Sequence, residues 1–96
     1  MHRALLERRI RDVHARLVRA REDLAVLDEQ LAVVMESADE ARVRSLVAET
    51  PLAAHEHSEA ARHADAMAKA RAALAGTVSD LEQRQDELLA DVASAS

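Results

Sequence analysis

The chain has 96 residues, no cysteine, no aromatic residue, one glycine and one proline, with a formal net charge of −5. Disulfide frameworks and thiolate metal sites are excluded, and any core must be built from Leu, Val, Ile, Ala and Met. So thin a core suits helix pairs and small bundles, not sandwiches or barrels.

The first element opens at once. With Arg3 as heptad position a, the a series reads Arg3, Ile10, Leu17, Leu24, Leu31, Ala38, and the d series Leu6, Val13, Ala20, Leu27, Val34, Ala41. Alternating steps of three and four over five heptads specify an apolar seam on a long α-helix that docks on another helix. The spacing predicts a first helix over about residues 3–49. Ser37-Ala38-Asp39-Glu40 matches the capping box S-x-x-E, which offers a bend near Ser37, whereas Ala38 and Ala41 carry the heptad straight through. We take the helix as continuous.

Thr50-Pro51 is the strongest break in the chain. Thr is a good N-cap, and Pro, whose missing N–H costs nothing there, fits the first helical position. A second helix is expected over about residues 51–93. Its d series is Ala53, Ala60, Met67, Leu74, Leu81, Leu88, Ala95, and its a series His57, Ala64, Arg71, Val78, Gln85, Val92. Folded back antiparallel, the helices match in a register whose paired numbers add to 98. Leu17 then faces Leu81 and Leu24 faces Leu74. A slip of one heptad, to 105, also gives Leu–Leu layers. The expected architecture is therefore all-α: residues 1–96 as one antiparallel coiled-coil hairpin, with room for a short third helix near the tip.

Charge follows the same plan. Residues 1–21 carry seven Arg against Glu7 and Asp12, residues 22–50 carry eight acids against Arg42 and Arg44, and residues 80–96 carry five acids against Arg84. An antiparallel fold sets the basic start beside the acidic end. A parallel homodimer on the first helix would oppose Arg16 to Arg21 and Asp23 to Asp28.

The stretch Leu24–Met35 is apolar at nine of twelve positions, with Val26 and Val33 off the seam, and Ala54, Ala61, Ala68 and Ala75 form a small-residue stripe. Such faces call for more helices than two. Leu46, Val47 and Leu52 offer cover from within the chain, and a second copy completing a four-helix bundle offers it from outside. The seam set is Leu17, Leu24, Leu27, Leu31, Leu74, Leu81 and Leu88. Polar Arg71 and Gln85 on the seam are the kind of residue that fixes register and oligomeric state.

Function is less legible. No nucleophile–base–acid arrangement is visible, so no enzyme and no cofactor is expected. His55, Glu59 and His63 lie at i, i+4, i+8 and are the one set with metal-ligand spacing, or with the makings of a pH-responsive module, although a solvated helix start explains them as well. The arginines suggest nucleic acid, but their acidic counterpart, the net charge and the lack of stacking aromatics argue against direct binding. The expectation is a protein-interaction or assembly module, homo-oligomeric, with protein partners. The alternative is a hairpin regulator that docks its tip, near Glu49 and Glu56, on a large machine such as RNA polymerase or the ribosome. Twelve Arg against one Lys suggests a GC-rich bacterial coding bias. The longest apolar stretch, Leu31–Met35, is far below a membrane span and no secretory h-region is present, so a cytoplasmic site is expected.

Overall fold

A computed structural model describes residues 2–95. They form two helices, α1 (His2–Ala48) and α2 (Pro51–Ala95), and only Glu49 and Thr50 lie outside them. No strand occurs among the described residues. The helix runs unbroken through Ser37, so the capping-box sequence there neither bends off a new element nor starts one. No third helix forms at the tip either, because two residues suffice for the reversal.

The connection is built as its sequence demands. Glu49 takes a left-handed backbone, with φ 52°, and its N–H donates to the Ser45 carbonyl at 3.1 Å. This is how many helices terminate, with one residue flipped to satisfy a free carbonyl. Thr50 then caps α2. Its Oγ1 accepts the Ala53 N–H at 3.1 Å, and its carbonyl accepts the Ala54 N–H at the same distance. Pro51 stands at the first helical position, where its lack of an N–H leaves nothing unpaired.

The chain divides into two units, Met1–Leu24 with Ala73–Ser96, and Ala25–Ala72. In the first, Leu6, Val13, Leu17, Ala20, Val78, Leu81 and Leu88 are buried, with Ile10, Leu24, Leu74 and Val92 packed against them. Leu17 is 0% exposed and Leu88 1%. Every one of these is an a or d position of the heptad. In this unit His14 Nδ1 lies 3.1 Å from Gln85 Nε2, so the polar seam residue Gln85 finds a partner on the flank of α1.

The second unit follows the same 3-4 rhythm with looser closure. Only Ala41 and Ala53 are buried, and Leu27, Leu31, Val34 and Met67 are half-buried. The cause is the width of the flanking side chains. Long residues beside a seam normally cover it with their methylene stems. Here α2 offers alanine at four of its six such places, Ala54, Ala61, Ala68 and Ala70, beside Glu56 and His63, so the edges of the seam stay open to water. Arg71 is paired within this unit, its Nε 2.6 Å from Asp28 Oδ1.

Of the three cross-helix polar contacts among the described residues, two run from a flanking place on α1 to a seam place on α2 and report the register, while the third, Arg21 to Glu82 at 3.5 Å, joins two flanking side chains. The numbers 14 and 85 add to 99, as do 28 and 71. That is one from the expected 98 and six from the slipped 105, so the slipped alternative is not the one adopted.

Candidate functional site

The residues expected to carry function divide by burial. Leu17, Leu81 and Leu88 are buried, whereas Leu24, Leu27, Leu31 and Leu74 are half-buried. The first group is core in the plain sense. Leu27 and Leu31, in the second unit, retain solvent-facing apolar area.

Outside the seam the exposed large hydrophobics are unevenly spread. Among the described residues ten are exposed, and seven of them, Val26, Val33, Met35, Val43, Leu46, Val47 and Leu52, belong to the unit Ala25–Ala72. Leu46, Leu52 and Val47 at the tip are 65%, 67% and 79% exposed. They therefore do not fold back as cover within the chain, because the tight Glu49–Thr50 reversal leaves them no seam to reach. Val43 joins them, and nothing in its local sequence had set it apart from a surface residue.

Beside this apolar surface runs a shallow groove of about 380 Å³ between the helices. Met35 and Ala38 of α1 and Ala61, Ala64 and Ala68 of α2 line it, with Asp39, Arg42, His57 and Asp65 at its edges. The alanine stripe makes the groove, since a methyl group leaves the space that a longer chain would fill. A second opening of about 530 Å³ is lined by Glu29, Gln30, Val33, Val34 and Met67.

The electrostatics of this unit are lopsided. It holds nine acids against five bases, a net of −4. Arg42, Arg62, Lys69 and Arg71 are each engaged by a carboxylate within the unit, at 3.4, 3.3, 3.2 and 2.6 Å. Glu29, Glu36, Glu40, Glu49 and Glu56 have no such partner. Asp28 raises the pKa of Arg71, first through the hydrogen bond and then through its charge.

The histidine set does not assemble. His55 and His63 are exposed, and Glu59 is turned to Arg62 at 3.3 Å. Among the described residues no group of three or more His, Cys, Asp or Glu side chains is placed to hold a metal ion. Glu49 and Glu56 are both exposed at the tip. No helix among the described residues is long and apolar enough to cross a membrane.

Sequence reasoning had marked Arg71 and Gln85 but not their partners. Asp28 and His14 share one flanking heptad position, two heptads apart, and that spacing equals the separation of Arg71 from Gln85. The match was available as a signal. Comparison with known proteins adds no name: no family model, no curated protein and no solved structure matches the chain.

Proposed function

We propose that this protein is a non-enzymatic coiled-coil assembly module that acts as a homo-oligomer, a second copy completing a four-helix bundle over the unit Ala25–Ala72. The concentration of exposed apolar side chains in that unit carries the reading, since seven of the ten fall there. Apolar surface gathered on one part of a small protein is stabilised by covering it, and helices cover helices. The half-buried state of Leu27, Leu31, Val34 and Met67 adds to it, because a third and fourth helix would seal a seam that two leave ajar. A cytoplasmic site accords with this role.

Light scattering after size exclusion, with refractive-index detection because the chain has no Trp or Tyr, tests the proposal. A dimer or tetramer is expected, unchanged by added Zn²⁺. A monomer across the micromolar range would defeat it. Leu31→Asp should dissociate the oligomer, since an unpaired charge on that face resists burial.

The tip supports a second reading. Leu46, Val47 and Leu52 stand exposed together, which suits a hairpin whose end docks on a large assembly such as RNA polymerase or the ribosome. Charge reversal at Glu49 and Glu56 separates the two. It leaves the oligomer intact and abolishes a docking function that uses the tip.

A further inference from the structure

We propose that the outward face of α1 between Val26 and Val47 is a docking strip for one helix of a different protein, a helix whose apolar and basic side chains repeat at heptad spacing. The strip lies wholly within the unit Ala25–Ala72. It uses the third and sixth heptad positions, counting Leu24 and Leu31 as first, and these recur in alternating steps of three and four. Their occupants are of two kinds only: Val26, Val33, Val43 and Val47, and Glu29, Glu36 and Glu40. All of them are exposed.

Two observations set this face apart from an ordinary solvated one. Valine is a poorer helix former than Ala, Glu or Lys, so four valines exposed by 51% to 79% do nothing for the helix that carries them. The glutamates, for their part, make no ion pair among the described residues. No base stands on the strip. At its edges Arg44 follows Glu40 by four residues without pairing with it, and Asp39 is held by Arg42 at 3.4 Å. The same two heptad positions mix both signs elsewhere, as Arg8, Asp12, Arg19 and Glu22 in α1 and as His55, Glu59, Arg62 and Lys69 in α2.

The strip and the leucine seam lie on opposite sides of α1, about 160° apart at 3.6 residues per turn. A second copy that closes over Leu27 and Leu31 comes from the seam side and leaves the strip outward. The inference therefore goes beyond the assembly reading and does not depend on it.

Charge complementarity selects the occupant. Carboxylates with no base among them repel nucleic acid and anionic lipid alike. Strip against strip, two copies would set glutamates on glutamates. The second copy's α2 serves no better. Laid antiparallel at the same levels it brings Glu59 near Glu40, and its Arg62 and Lys69 are engaged by Glu59 and Asp65 at 3.3 and 3.2 Å. A foreign helix with Leu or Val over the valines and Arg or Lys beside the glutamates satisfies both kinds of residue along about 30 Å.

The probe is a synthetic helical peptide as long as the strip, labelled with fluorescein. It carries Leu at one heptad position, Arg three residues further on, and Ala and Gln elsewhere. Fluorescence anisotropy with the full chain should rise to saturation, and the same peptide with Glu in place of Arg should not bind. The triple variant Glu29→Gln, Glu36→Gln and Glu40→Gln should weaken binding at least about tenfold. Val26→Ala with Val33→Ala should weaken it by about as much, and since Ala is the better helix former, that loss is not a loss of fold. Asp80→Asn, Asp86→Asn and Asp91→Asn remove as many charges from exposed places in the other unit and should leave the affinity within about twofold at physiological salt.

Absence of saturable binding overturns the proposal, as does equal weakening by the two charge triples, which would reduce the contact to net charge. A change in the oligomeric state of the peptide-free protein on altering the strip would make a second copy its occupant and overturn it too. A monomeric parent that still binds the peptide through the strip would defeat the assembly reading alone.

Discussion

Arg71 reaches Asp28 at 2.6 Å, the shortest ion pair among the described residues, and does so from a position that the heptad reserves for an apolar side chain. The contact links α1 to α2 within one unit. In a register slipped to 106, Arg71 would stand level with Met35, and in one slipped to 92 it would meet Arg21. Of these three registers, only the adopted one gives it a carboxylate. An apolar seam is nearly indifferent to a heptad slip, so a charge of this kind is what makes the registers unequal.

That argument predicts coupling. Asp28→Ala and Arg71→Ala should each lower the melting temperature, and the double variant should lose less than the two losses added together. The pair is half-exposed, so the coupling should shrink as salt is raised. The pH dependence follows from the direction of the shift on Arg71, which is upward. A base with a raised folded pKa contributes fully below its unfolded value and loses its contribution only as pH climbs through the folded one. Arg71 should therefore impose no alkaline weakening until pH passes the ordinary guanidinium range. Strict additivity in the cycle, read by thermal circular dichroism, would dispose of the coupling.

The two-residue reversal makes a prediction of opposite sign at its two positions. Glu49 holds a φ of 52°, which an L-residue adopts at a cost of about 1 kcal/mol and glycine adopts freely. Glu49→Gly should then raise stability by up to about 1 kcal/mol. Thr50→Ala removes the oxygen that accepts the Ala53 N–H and should cost about 1 kcal/mol. Chemical denaturation of the two variants checks both. Equal destabilisation by both changes would show that the left-handed residue is not strained.

The heptad made the fold readable far in advance. The non-exposed positions of α1, from Leu6 through Ser45, fall on its a and d series, and so do those of α2 apart from the half-buried Ala75. Arg3 and Ala95, at the extremes of the two series, are exposed. The difference in closure between the units was harder to see. It depends on what flanks the seam: in the second unit α2 sets alanine at four of six flanking places, and although the stripe was visible in the sequence, heptad counting alone does not say how far it opens the seam. For the same reason Arg71 could be flagged as anomalous while Asp28 passed as an ordinary surface acid. Of the two covers the sequence left open, the one from within the chain does not form: beside a reversal of only two residues Leu46, Val47 and Leu52 stand exposed.

Gly76 tests whether α2 contains a residue kept for its lack of a side chain. It lies inside the helix, its φ is not positive, and a Cβ placed there would meet nothing within 4 Å. Neither close approach nor backbone geometry requires glycine. Gly76→Ala should therefore stabilise the protein by about 1 kcal/mol through helix propensity alone. If thermal melting shows a loss instead, the site must touch something beyond this chain, and the same variant measured at several concentrations would reveal whether that is a second copy.

The contrast between Leu17 and Leu31 is the most direct probe of the unequal seam. Both sit at heptad position a, on the same helix, two heptads apart. Leu17 is wholly enclosed, so Leu17→Ala deletes buried methyl groups and leaves a cavity, at about 3 kcal/mol. Leu31 is only half-buried by its own chain, so in an isolated hairpin Leu31→Ala removes less buried area and should cost about 1 kcal/mol. An oligomer that covers this face changes the second number and not the first. Denaturation at low protein concentration should show the wide gap between the variants. At high concentration the cost of Leu31→Ala should rise toward that of Leu17→Ala, because the subunit interface then supplies the missing burial. A gap that stays fixed over a hundredfold range of concentration would mean that no second copy covers Leu31.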